Sequence, residues 1–474
     1  MNFQSIEYVV FIIAVVLLYW TVCGRSKTLQ NGLIVASSLV FYGWFEWRFV
    51  GLLVITALST FFSGLLMGNM ENQPRRKRIL VGVLLLNLGI LFFFKYFNFF
   101  IGSFKDFASL FGCHININML KVVLPIGISF YTFSALSYTI DIFQKKVEPT
   151  KDILAYFAYV LFFPSILSGP ICRAQKQLPQ YFSVRKFDYN LAVRSCQLIL
   201  LGGVMKLCLA DRLGIYVDTV YNNITLHNGS TLLFTSILYT VQIYADFAGY
   251  SLIAIGSGRL LGIELQTNFS RPYFAKTITD FWRRWHISLT TWFRDYIYFP
   301  LGGSRCSKYR WMFNTMVVFI ISGLWHGAAY NFIIWGVIHG VCMLIERQFY
   351  GDKIKRISDK LTIGNVLRWF ITLAVINFSW VFFRINDLND ITIFFRKLLT
   401  EPGRIFLDAD NLLYAFVFTV FICIVDFVNE YRKIKGSQIG SMKNVYRYFS
   451  CVAMASMILL FGVLDGGSFI YFQF

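Results

Sequence analysis

Residues 311–345 read WMFNTMVVFIISGLWHGAAYNFIIWGVIHGVCMLI, thirty-five consecutive positions without a formal charge. As one straight helix this run would extend about 52 Å at 1.5 Å per residue, against a ~30 Å hydrocarbon core. It is a double-length membrane run, and the rest of the chain has the same character. Apolar residues make up 57% of the 474 positions, charged residues 15%, and 51 Phe and 26 Tyr add an aromatic load. Mean hydropathy is +0.58. A soluble chain usually needs about 25% charged residues to cover its surface. The composition therefore indicates an all-α, polytopic integral membrane protein and excludes a disordered chain.

Working outward, Phe49–Met70 is charge-free over 22 residues, about 33 Å as a helix and enough for one crossing. Similar runs are Tyr8–Gly24, Thr28–Phe45, Ile79–Phe94, Val122–Ile140 and Ile153–Cys172, then Thr231–Ala245, Trp369–Phe383, Asn411–Val425 and Tyr448–Leu464. With the double-length run these predict about ten to twelve crossings. No internal repeat or low-complexity linker divides the chain, so residues 1–474 read as a single membrane-embedded domain with a core motif region at 122–345.

Lysine and arginine exceed aspartate and glutamate by 44 to 25, a net charge of +19. The excess sits in short blocks between apolar runs, Arg75-Arg76-Lys77-Arg78 being the densest. Such blocks read as cytoplasmic retention charges beside anionic headgroups, with membrane lipid as the partner and no nucleic acid. Arg25 and Lys27 follow the first run and the Arg75–Arg78 block the third, so both fall inside if the N-terminus is extracytoplasmic. Arg173–Arg194, Arg347–Arg368, and Arg432, Lys433, Lys435, Lys443 and Arg447 would also be inside, leaving Phe474 outside. The first run lacks a basic n-region and a small-residue cleavage site, so no cleavable signal peptide is expected. Nine cysteines without a CxxC pair or Cys/His ligand spacing predict neither a disulfide framework nor a metal site.

From Ala210 to Arg310 hydrophobicity falls and charges enter aromatic-rich sequence: Asp246 in QIYADFAGYS, Glu264 in LLGIELQTNF, and Asp280, Arg283, Arg284, Arg294 and Asp295 in TDFWRRWHISLTTWFRDYIYFPLGG. In the last segment Trp282, Trp285/His286, Leu289, Phe293 and Tyr296 fall on one helical face, as an interfacial or re-entrant helix would place them. Polar sequence at membrane depth is tolerated where it is buried in protein or lines a wet cavity, so an internal pocket is expected.

Five histidines are present. His114 and His227 lie in polar, loop-like sequence and His339 reads as a packing residue. His326 stands fifteen residues into the charge-free run, where neither capping nor solubility accounts for a titratable ring. Deep ionisable groups are candidate functional sites; the bland alternative is a neutral imidazole bonded to a neighbouring helix. Gly323 and Gly327 flank it and permit either a helix break or close backbone approach. A neutral His326 could act as a general base on an acceptor hydroxyl. Other chemistries lack their motifs: there is no GxxxxGK[ST], HExxH or GxSxG, and Gly256, Gly258 and Gly262 do not match the dinucleotide fingerprint.

Five stretches carry a resemblance: PIGISFYTFSALSYTIDIF (Pro125–Phe143), FFPSILSGPICR (Phe162–Arg173), YTVQIYADFAGYSLIAIGSGRLLGIELQTNFSRPY (Tyr239–Tyr273), TDFWRRWHISLTTWFRDYIYFPLGG (Thr279–Gly303) and SGLWHGAAYNFIIWGVIHG (Ser322–Gly340). In order and over most of the chain they resemble the membrane-bound O-acyltransferases, and within these the bacterial branch containing the alginate O-acetyltransferase membrane subunit. Around Phe281–Leu301 the chain is also similar to the D-alanyl transfer protein of teichoic acid modification. The resemblance implies a helical bundle with a funnel on each side meeting centrally, in the bacterial cytoplasmic (inner) membrane. It places the family's catalytic His on His326 in an intact GLWHG context, and its second polar position on His286, where subfamilies vary. Trp325, Gly323, Gly327, Trp282, Arg283 and Asp246 would line the channel or support these motifs.

No bound cofactor or metal is implied. The donor would be acetyl-CoA or an acyl-carrier-protein thioester, so a carrier protein is a possible partner. A separate periplasmic or surface enzyme of the SGNH (Ser-His-Asp) type would receive the acetyl, since no such soluble module is evident in this chain. The expected function is O-acetylation of an extracytoplasmic cell-envelope polysaccharide. D-alanyl transfer to teichoic acid, acylation of a lipid, and passive transport of a lipid-linked precursor stay open at this point.

Overall fold

A computed structural model describes residues 1–113, 117–351, 362–434, 444–464 and 469–470. His114, Lys435 and Lys443 lie outside the described residues, as does part of the Arg347–Arg368 stretch. Among the described residues every regular element is helical. Six of the described helical segments are long and apolar enough to cross a membrane: Lys27–Gly68, Gln73–Lys95, Gly229–Leu260, Tyr330–Tyr350, Ile363–Arg384 and Ala409–Glu430. Ile6–Thr21 and Tyr446–Phe461 are shorter apolar helices. The chain is a multi-pass membrane protein.

The residues group into two compact units, the first comprising 1–195 with 254–266, the second 196–253 with 267–474. In the first unit, Ser5, Ser26 and Asn72 cap helix N-termini by accepting backbone N–H groups of Tyr8, Leu29 and Arg75. Gly64 lets Val50–Gly68 lie against Ile128–Phe143; a Cβ there would stand 2.7 Å from the Tyr138 ring and 2.8 Å from Ile142 Cδ1. The basic block is not wholly a surface feature. Arg76 is buried, and its Nη2 donates to the Ile142 carbonyl at 2.7 Å, satisfying the C-terminal end of a neighbouring helix.

Two apolar runs depart from the continuous helices expected of them. Ile153–Cys172 breaks into Ile153–Val160 and Phe163–Ile166, because Pro164 has no N–H to continue the first helix. Gly169 then turns the chain back so closely that a Cβ would lie 2.6 Å from Ser165 Cα. Val122–Ile140 becomes helical only at Ile128, after Pro125 and the left-handed Gly127 (φ 77°).

In the second unit a seven-residue π-helical segment, Val204–Ala210, carries the buried Lys206. Its Nζ lies 2.6 Å from Asp246 Oδ1 and 2.7 Å from Asp211 Oδ1. Asp246 Oδ2 also accepts the Ile470 N–H at 2.9 Å. An isolated charge at this depth would cost several kcal/mol, and mutual pairing with further hydrogen bonds is what makes such a group tolerable.

Candidate functional site

The double-length run folds as a helical hairpin, Lys308–His326 and Tyr330–Tyr350, with the break at Gly327 (φ −164°, ψ 153°). Both roles open to the flanking glycines are realised. Gly327 ends the first helix, while a Cβ on Gly323 would collide with the Phe332 carbonyl oxygen. Gly336 approaches the Phe319 carbonyl equally closely, so the two backbones pack face to face. His326 is therefore the last residue of its helix, held at the hairpin's turn.

The segment Thr279–Tyr298 is not one continuous helix. It forms Ile278–Arg284, Ile287–Phe293 and a π-helical turn Arg294–Tyr298, with the first break at Trp285–His286. Trp285 is extended and His286 takes a left-handed backbone, φ 40° and ψ 53°. For a residue other than glycine that conformation costs ~1–2 kcal/mol, so tertiary bonds must hold it. Two flank the break: Ile287 N–H donates to the Asn268 carbonyl and Ser270 N–H to the Arg284 carbonyl, each at 2.9 Å. The start of the first short helix is tied down by Glu346, whose carboxylate accepts the Ile278 and Thr279 N–H groups at 2.7 and 2.8 Å. The helical-face pattern of the sequence could not reveal this break, because nothing local in Trp285-His286 stops a helix.

The break turns the His286 ring toward His326; the centroids lie 6.3 Å apart at 52°. His286 is 1% and His326 3% exposed, so the His326 ring does not stand open in a wet funnel. Around His326 are Trp325 at 5.0 Å, Trp335 at 5.1 Å and Phe383 at 5.1 Å. Around His286 are Phe247 at 4.7 Å and Trp325 at 5.7 Å. Burial pushes the His286 imidazole below its ordinary pKa, favouring the neutral ring that can both accept and donate a proton.

Of the residues singled out in the sequence, His286, His326 and Trp325 meet in one enclosure, with Gly323 and Gly327 shaping the hairpin beneath it. Trp282 stands one layer out, 5.6 Å from Trp335 and 5.0 Å from His339. His339 is fully buried, and its Nε2 lies 2.9 Å from Ser379 Oγ. Arg283 is exposed and outside the enclosure, whereas its neighbour Arg284 is buried and pairs with Asp280 and Glu430, both at 2.9 Å. Asp246 faces Lys206, and it is the adjacent Phe247 that touches the His286 ring. Trp335, Phe383, Phe247 and Asn268 were not legible as site residues. Phe247, Asn268 and Trp335 carry no signal beyond membership of the quoted motifs, and Phe383 none beyond ending the apolar run Trp369–Phe383.

Comparison with known proteins bears on what this enclosure belongs to. Residues 104–383 match the family described as MBOAT, membrane-bound O-acyltransferase family, a span containing both histidines. The chain is 32% identical over 470 residues to the Pseudomonas putida protein named "Probable alginate O-acetylase AlgI", covering 94% of each chain. It is 32% identical to the "Peptidoglycan O-acetyltransferase" of Helicobacter pylori, covering 75% of this chain and 71% of that one. A "Teichoic acid D-alanyltransferase" of Bacillus subtilis is 31% identical over 54% of this chain and 67% of its own. With a family match over more than half its length and a relative aligned nearly end to end, this chain is an acyltransferase belonging to the membrane-bound O-acyltransferase family.

Proposed function

We propose that this acyltransferase moves an acetyl group from a cytoplasmic thioester donor to a hydroxyl acceptor serving O-acetylation of an extracytoplasmic envelope polysaccharide. The observation that carries the reading is the meeting of His286 and His326, forty residues apart in sequence, as two buried rings 6.3 Å apart. That separation suits one small reacting group held at hydrogen-bond reach, ~2.6–3.2 Å, of a nitrogen on each ring. His326 takes the acceptor's hydroxyl proton as the oxygen bonds to the thioester carbonyl carbon. The tetrahedral adduct then collapses, the C–S bond breaks, and the departing thiolate recovers that proton from the imidazolium. His286 orients the reacting carbonyl by donating a hydrogen bond.

The donor is acetyl-CoA or an acyl-carrier-protein thioester, and the acceptor hydroxyl belongs to the polymer or to a separate SGNH-type enzyme outside the membrane. The alternation of basic loops supports an N-terminus outside a bacterial cytoplasmic membrane. The acetyl assignment is favoured over D-alanyl transfer because the relatives with acetyl-transfer names align over more of this chain than the D-alanyl one. The test supplies membranes containing the protein with acetyl-CoA, acetyl-carrier protein or D-alanyl-carrier protein in turn, and counts released thiol. Release from an acetyl donor that disappears in His326→Gln supports the proposal. Release only from the D-alanyl donor, or equal release by His326→Gln, refutes it.

A further inference from the structure

The left-handed His286 raises the question of what keeps its ring aimed at His326, and one side chain answers it. Asn268, in the LQTNFSRPY stretch, is 1% exposed and bonded to both sides of the problem. Its backbone carbonyl accepts the Ile287 N–H at 2.9 Å, immediately after His286. Its carboxamide oxygen accepts the Ser288 hydroxyl at 2.6 Å, and its amide nitrogen donates to Ser251 Oγ at 3.0 Å. Ser251 lies four residues after Phe247 on the Gly229–Leu260 helix, hence on the same face. That face supplies the Phe247 ring packed 4.7 Å from the His286 ring.

We propose that Asn268 is the positioning residue for His286, fastening the helix break that aims the ring to the helix that walls it. This rests on the reading above that His286 and His326 serve the transfer. The side chain suits the task because an accepting oxygen and a donating nitrogen diverge from one short stem. Aspartate would place a second acceptor and a charge there, glutamine is one methylene too long, and alanine keeps only the backbone bond. Ser288, two residues after His286, shares this bond with Asn268, so removing its hydroxyl is expected to cost less once the carboxamide is gone.

The experiment uses the full-length chain purified in detergent, with acetyl-CoA or the acetyl-carrier protein, whichever donor supports release, and turnover expressed per folded molecule from a monodisperse size-exclusion peak. Asn268→Ala is expected to lower kcat about ten- to hundred-fold, the scale of a misplaced reacting group, with the donor KM changed less than about two-fold. Ser288→Ala is expected to lower kcat about two- to five-fold, and to add less than about two-fold in the Asn268→Ala background. Wild-type kcat per folded Asn268→Ala molecule, a raised KM with unchanged kcat, or independent multiplicative losses in the double variant would each overturn the proposal. Should Asn268→Ala fail to accumulate, Ser288→Ala and Ser251→Ala decide it: kcat losses at unchanged KM support it, and wild-type kcat in both overturns it. Failure of the functional reading is separately visible, as undiminished thiol release by His286→Ala and His326→Gln.

Discussion

Replacing His326 tests both the chemistry and the packing, and the two effects must be separated by choice of variant. The ring is 3% exposed and lies about 5 Å from each of Trp325, Trp335 and Phe383. His326→Ala would therefore leave a void among rigid rings that cannot close over it, at a cost of ~2–4 kcal/mol by comparison with other large-to-small core changes. Losing a general base raises the barrier by roughly 3–5 kcal/mol, a ~10²–10⁴-fold fall in rate. An activity loss in His326→Ala thus mixes fewer folded molecules with slower ones. His326→Gln retains most of the volume and a polar end but cannot take up a proton at neutral pH. It should accumulate near the wild-type level, melt in detergent closer to wild type than His326→Ala does, and still release no thiol above background. The assay pairs thiol release with the folded fraction by size exclusion and a thermal melt. A folded His326→Gln within about ten-fold of wild-type turnover would show that the ring only packs, and the acid–base argument would fall.

Gly323→Ala should sharply reduce folded protein, since its Cβ meets the Phe332 carbonyl, with an overpacking cost of ~1–3 kcal/mol; Gly364→Ala, with nothing within 4 Å, is the control. A thermal melt of both in one detergent compares them, and equal melting points would refute the close-approach account. His286→Gly should be more stable than His286→Ala by ~1 kcal/mol, because glycine takes the left-handed backbone (φ 40°) without strain, although both lack the ring. Lys206→Met should lose most folded protein, on the order of 3–5 kcal/mol, because Asp211 and Asp246 are left buried without their cation; a Lys206→Met, Asp211→Asn, Asp246→Asn triple variant should recover part of the folded yield.

What the sequence by itself determined is everything that rests on composition and local pattern. The charge-free runs require a membrane, because transfer of apolar surface out of water is additive along the chain and needs no knowledge of neighbours. His326 stood out for the same reason, a titratable ring in 35 residues without charge, and its flanking glycines already announced a break or a close approach. Other decisions were made by contacts between distant residues. The helical face through Trp282, His286 and Leu289 was real as a pattern, yet bonds from Asn268 and Ser270 override it and turn His286 left-handed. Those bonds join residues 14 and 19 positions apart along the chain, a separation at which no periodicity survives. The exchange of roles between adjacent residues has the same origin. Arg284 rather than Arg283 pairs with Asp280 and Glu430, and Phe247 rather than Asp246 meets the His286 ring, because packing alone fixes the rotational phase of each helix. The pairing of His286 with His326 across forty residues is likewise a property of the folded unit. A helix break held by a buried asparagine and a hairpin closed on glycine bring the two rings together.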